Sequence, residues 1–189
     1  MHWIDDISQL RDDLNARAGA FLEVARSTVV AEGASIDQRL ATIATLRTKL
    51  YEATNQLQHE YLLVRAVEWL VAEGRASEVV RWGWHPSCTG PSDEPDLRGL
   101  DSEDKVVISA EATASSLPQG VIDTRMAKTL MKVAMMGGQR FYFVTSVEME
   151  RRARTKVSKS GHLVEVVRLS GPLAGVTSDD PGGGTRVIR

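Results

Sequence analysis

The sequence predicts an α/β protein with a long-helix extension at its N-terminus. Two observations carry this. The first 73 residues place apolar side chains at three-and-four spacing with one internal stop, and from residue 78 onward short apolar runs alternate with turn signals and two further helical patterns. A third observation locates the chemistry. The segment Glu94-Pro95-Asp96-Leu97-Arg98-Gly99 precedes Lys105-Val-Val-Ile-Ser-Ala-Glu111-Ala-Thr113, so two short strands each carry an acid.

In chain order, residues 3 to about 31 read as the first helix, with Ile4, Ile7, Leu10, Leu14, Ala18, Phe21, Leu22 and Ala25 at helical spacing and Gly33 as its stop. Ser35 and Gln38 form a capping box that opens a second helix. It runs without Gly or Pro to Glu73, before Gly74. Its stripe is Ile36, Leu40, Ile43, Leu50, Leu57, Tyr61, Val64 and Val71, broken by Arg47, Thr54 and Glu68. Glu78–Trp84 reads as a strand, His85–Ser92 as a loop, 94–100 as a second strand and Lys105–Ala114 as a third. A helix over about 121–136 ends at Gly137-Gly138. Arg140–Thr145 is a buried strand. Thr145 and Glu148 form a second capping box, opening a basic helix to about Ser158, and His162–Leu169 is a last strand. The resulting division is 1–55 as a helical, dimerising extension, 56–170 as the core and 171–189 as a mobile tail.

With 189 residues, 42% hydrophobic and 25% charged, the composition is that of a globular protein. Cys88 is the one cysteine, which excludes an intrachain disulfide and a cysteine-based zinc site. The acidic start and the lack of a long apolar run predict a cytoplasmic protein with no membrane span. The net charge of −2 conceals an asymmetry. Residues 91–104 hold six acids against Arg98 alone, whereas 120–169 hold ten Lys or Arg against four acids. Such a distribution suits an acidic site beside a polyanion-binding face, or a solvated surface of mixed sign.

Asp96 and Glu111 lie 15 residues apart, so a hairpin brings their carboxylates together at one end of a sheet. Magnesium takes such hard oxygen ligands and keeps some of its waters. A metal held there activates water and steadies a phosphodiester under attack. In the region 151–159, Arg151, Arg152, Arg154, Lys156 and Lys159 form a candidate phosphate-contact surface. Trp82, Trp84 and His85 flank the proposed site and are candidates for base stacking or for the core, and among the histidines His59 beside Glu60 merits a test.

The order helix, three strands, helix, strand, with Pro95-Asp96 on the second strand and Glu111-Ala-Thr113 on the third, resembles the PD-(D/E)xK nuclease superfamily over roughly Gln56–Leu169. The resemblance implies a restriction endonuclease-like mixed sheet flanked by helices, and a Mg2+- or Mn2+-dependent DNA endonuclease of restriction or defence type working as a homodimer. It implies that Asp96, Glu111 and the carbonyl of Ala112 hold the metal, with Glu60 or Glu68 from the helix as a further ligand. Thr113 stands where the family carries lysine. A hydroxyl holds a water but supplies no positive charge. The following helix offers Lys128, or Lys132 one turn on, for the catalytic role, with Lys128 preferred and with Lys132 and Arg125 in the same row as DNA contacts beside Arg151, Arg152, Arg154 and Lys156. A catalytically silent DNA-binding or assembly subunit is the alternative.

Overall fold

The computed structural model describes residues 2–4, 6–27, 32–85 and 93–169, with Glu52 in its backbone alone. The 171–189 tail, the end of the first predicted helix at 28–31 and the loop around Cys88 lie outside these residues. The elements are β1 (His2–Ile4), α1 (Ile7–Ser27), α2 (Ile36–Ala72), β2 (Arg81–Trp84), β3 (Leu97–Leu100), β4 (Val106–Thr113), α3 (Val121–Ala134), β5 (Gln139–Val144), α4 (Val147–Ser160) and β6 (Glu165–Arg168).

All six strands form one sheet in sequential order. β1 to β4 pair antiparallel, and β4–β5 and β5–β6 are parallel, so the sheet is mixed. Each parallel step needs a crossover, and α3 and α4 supply them. One apolar cluster joins Leu62, Leu63, Ala66, Val67 and Leu70 of α2 to Ile108, Ala110, Ala112, Phe141 and Phe143. The other joins Met126, Leu130 and Val133 of α3 and Met149 and Ala153 of α4 to Tyr142, Val144 and Val166. Alternate residues of β4 and β5 therefore serve opposite layers, as the period of two requires. Gly138 has φ +73, and a Cβ there would collide with the backbone of Val107, so the turn into β5 tolerates no side chain.

The capping box at Ser35 and Gln38 is present, and Gly161 ends α4 in the left-handed conformation. Three expectations need correction. Residues 3 and 4 are not helical: Trp3 pairs with Gly83 and Ile4 with Trp82. The helix starts at Ile7 because the Asp6 carboxylate accepts the Ser8 N–H at 2.7 Å. The cap of α4 is Ser146, not Thr145. Ser146 Oγ accepts from Met149 N–H, while the Thr145 hydroxyl turns inward to the carbonyl of Ala114. The three-and-four stripe of α2 is only partly its core face. Val64 is buried, but Ile36, Leu40, Ile43 and Val71 are exposed, and most of the buried row lies beside the stripe at Leu62, Leu63, Ala66, Val67 and Leu70.

α1 runs back along α2 within the same chain. Arg11 pairs with Glu68 at 2.5 Å and Arg17 pairs with Glu60, an order that makes the helices antiparallel. Trp84 is buried, and Trp82 packs against the same cluster, which is the core alternative for both tryptophans. Among the described residues, no helix is long and apolar enough to cross a membrane.

Candidate active site

Leu97 pairs with Ala110, so Asp96, one residue before β3, falls opposite Glu111 near the end of β4. Directly opposed residues on antiparallel strands share a face. Two backbone contacts lock this junction. The Asp96 carboxylate accepts the Ala112 N–H at 2.9 Å, and the Asp96 N–H donates to the Glu111 carboxylate. The Pro-Asp acid thus closes the ladder where β3 begins, which is a local reason for its position as well as a chemical one.

Glu111 is 6% exposed. Burial, and then the charge of Asp96, push its carboxyl up to about 8. Lys132 opposes this from α3, with Nζ 2.5 Å from Oε1 of Glu111 and 3.0 Å from the carbonyl of Glu94. Burial and the neighbouring acid outweigh the lysine. A group whose folded pKa is raised stabilises the fold fully below its unfolded value and loses that contribution as pH rises through the folded one. Without divalent ions the thermal midpoint should therefore fall between about pH 5 and pH 9 through this group. Glu111→Gln should flatten the fall, and a melting series of the two proteins in chelator measures it. Equal slopes would show that Glu111 does not titrate in that range.

Thr113 ends β4 on the same face as Glu111. Its Oγ1 accepts a hydrogen bond of 2.9 Å from the hydroxyl of Tyr142. Tyr142 is fully buried, and burial pushes its phenol up to about 12. The tyrosine is thus a donor at neutral pH, which leaves the threonine proton for another acceptor. His59 of α2 approaches from the opposite layer, with Nε2 3.8 Å from Oδ2 of Asp96. That nitrogen is buried and has no hydrogen-bond partner among the described residues.

Other residues named from the sequence lie differently. Glu60 is 2% exposed and is held by Arg17 and by Gln56, which donates to Oε1 at 2.8 Å. It is not gathered with the acid pair: among the described residues no group of three or more His, Cys, Asp or Glu could hold a metal ion. Glu68 is paired with Arg11. Lys128 and Arg125 are exposed on α3, and the lysine that meets Glu111 is Lys132, one turn further on. Of the lysines named on this helix, Lys132 is thus the one placed against the acid pair.

On α4, Arg152 and Lys156 both pair with Asp123 of α3, at 2.7 and 3.1 Å, and hold its carboxyl well below the usual range. Arg154 pairs with Glu150 at 2.7 Å. These three tie α4 to α3 and to its own first turn, and any phosphate must compete with those carboxylates. Arg151 and Lys159 are exposed. Nothing in the chain signalled the Tyr142–Thr113 contact, since register across a parallel pair is invisible along it.

The acid pair fits a divalent cation in its chemistry. Asp96 and Glu111 offer hard oxygens, and the Glu111 carboxyl, raised first by burial and then by the charge of Asp96, would be lowered by a cation shared between them. Comparison with protein-family models, with curated proteins and with solved structures finds no match for this chain.

Proposed function

We propose that this chain is a metal-dependent DNA endonuclease of restriction or defence type. The observation that carries the reading is the carboxylate pair, Asp96 and Glu111, opposed across β3 and β4 with Lys132 against the second acid. The two carboxylates, with the Ala112 carbonyl beside them, would hold Mg2+ or Mn2+, which supplies an activated water and Lewis acidity toward a phosphoryl oxygen. Lys132 brings the positive charge that Thr113 lacks, at a reach that serves either a water proton or a phosphoryl oxygen. Thr113, fixed by Tyr142, donates its remaining hydrogen into the site. Incubation of the purified protein with plasmid and Mg2+ or Mn2+, beside Asp96→Ala, tests the reading. Wild-type protein that leaves plasmid intact under both ions overturns it.

A double-strand cut needs two such sites, so the reading includes a homodimer. Ile36, Leu40, Ile43 and Tyr51 leave an exposed apolar row on the distal half of α2 for that contact. Light scattering at micromolar concentration should give twice 20.7 kDa. A monomer that still cuts both strands would remove the dimer from the reading.

One observation favours a second reading, a catalytically silent DNA-binding or assembly subunit. Lys132 stands where a cation would meet Glu111, and among the described residues no group of three or more His, Cys, Asp or Glu could hold a metal ion. Duplex binding that is unchanged by chelator, with no cleavage, distinguishes this reading from the first.

A further inference from the structure

Arg98 is the one base among the six acids of residues 91–104, yet it pairs with none of them. Among the described residues its side chain makes no hydrogen bond or ion pair, and its Nε is buried without a partner. This is costly for a guanidinium, which presents five donors and never loses its charge. Its place in the sheet gives the reason. Arg98 sits in β3 opposite Ser109 of β4, two residues from Asp96. Ser109 and Glu111 share a face of β4, so Arg98 lies diagonally across from Glu111 on the face that carries the acid pair. On its other side the opposing residue of β2 is Gly83, which puts no side chain there. The apolar cluster beneath α3 and α4 takes no side chain from β1, β2 or β3, so that part of the face is not claimed by the helices.

We propose that Arg98 is a phosphate-binding residue of the site, holding a phosphodiester of bound DNA beside Asp96 and Glu111. The inference rests on the nuclease-fold reading for its ligand, but not on cleavage. A half-buried arginine without a carboxylate is completed by a phosphate, whose oxygens match the planar donor fork in a bidentate contact. Such a contact also answers a problem of the acid pair. Two carboxylates repel a DNA backbone unless positive charge stands next to them. Lys132 is already engaged by Glu111 and by the carbonyl of Glu94. Arg98 carries its charge on the same face, from the neighbouring strand, and is engaged by neither acid.

The test is binding of a labelled duplex oligonucleotide in EDTA over a range of salt, for the full-length wild-type protein, Arg98→Met and Arg98→Lys. Methionine keeps an unbranched stem, and lysine keeps the charge without the fork. Arg98→Met should bind about tenfold more weakly or worse, with a log–log salt slope shallower by about 0.9. Arg98→Lys should keep the slope and lose part of the affinity. If Arg98→Met does not fold, as judged by circular dichroism, the lysine variant decides alone, and wild-type affinity in it overturns the proposal. So does an unchanged affinity and slope in a folded Arg98→Met, or a wild-type protein that binds no duplex. Arg98-dependent binding without cleavage under Mg2+ or Mn2+ keeps this proposal and removes the catalytic reading. Wild-type binding and cleavage by Arg98→Met does the reverse.

Discussion

Asp96→Ala is expected to lower divalent-ion-dependent cleavage of plasmid by about a hundredfold or more, since under the proposed function it removes a direct metal ligand, where even a supporting residue is worth about ten- to a hundredfold in affinity. The fold should survive. The substitution leaves the Ala112 N–H without its acceptor, at a cost of about 1–3 kcal/mol, which for a chain of this size moves the melting midpoint by about 2–12 °C. It also removes the second-largest influence raising the Glu111 carboxyl, which then ionises more readily beside Lys132. That relief offsets part of the lost hydrogen bond. Asp96→Asn separates the two roles, because the amide oxygen still accepts from Ala112 but binds a divalent ion poorly. Both variants should therefore lose cleavage, and asparagine should melt closer to wild type. Plasmid nicking in Mg2+ and Mn2+ with parallel melting curves reads both. Cleavage retained in either variant would place the metal elsewhere in the molecule.

Lys132→Ala should be nearly as damaging to cleavage, by about a hundredfold, while Lys128→Ala should change it by less than about threefold. The contrast follows from geometry. Lys132 Nζ lies 2.5 Å from Glu111, and Lys128 is exposed on the same helix one turn away. Without Lys132, burial and the charge of Asp96 are opposed only by the Asp96 N–H, so the Glu111 carboxyl rises further and binds protons in competition with metal. The loss of cleavage should then be partly recovered at higher pH or higher metal concentration if the lysine acts by tuning Glu111. It should not be recovered if the lysine acts on the phosphoryl group. Cleavage rates across pH and Mn2+ concentration for the two variants make the distinction. Equal, small effects in both would leave the transition-state charge to another residue.

The candidate site was partly legible in the chain because its ligands lie on two strands joined by a short turn. An acid after proline, a polar turn at Asp101–Asp104 and an apolar run ending on an acid lead to a hairpin by local rules, and the hairpin alone brings Asp96 opposite Glu111. The choice between Lys128 and Lys132 was not legible. Both lie on one face of α3, and which turn stands over Glu111 depends on how far α3 slides along β4 and β5. That position is set by the packing of Met126, Leu130 and Val133 on Tyr142 and Val144. The basic helix shows the same limit. Five bases without an acid read as a phosphate surface along the chain, but Asp123, which takes up two of them, comes from α3 and meets α4 only across the fold.

The sequence by itself determined the order of helices and strands after Gly74, the capping box at Ser35 and the stop at Gly161, because these follow from contacts within a few residues. It also determined the α/β class, through periodicity and punctuation. Tertiary structure decided what distant residues share. Trp3 and Ile4 became an edge strand because β2 offered open hydrogen bonds, not because their own spacing asked for it. The buried face of α2 is displaced from its apolar stripe because the sheet selects the row it can pack. Glu60 was drawn to Arg17 and Gln56, and Tyr142 came to hold Thr113, because burial obliges each polar group to find a partner wherever the fold supplies one.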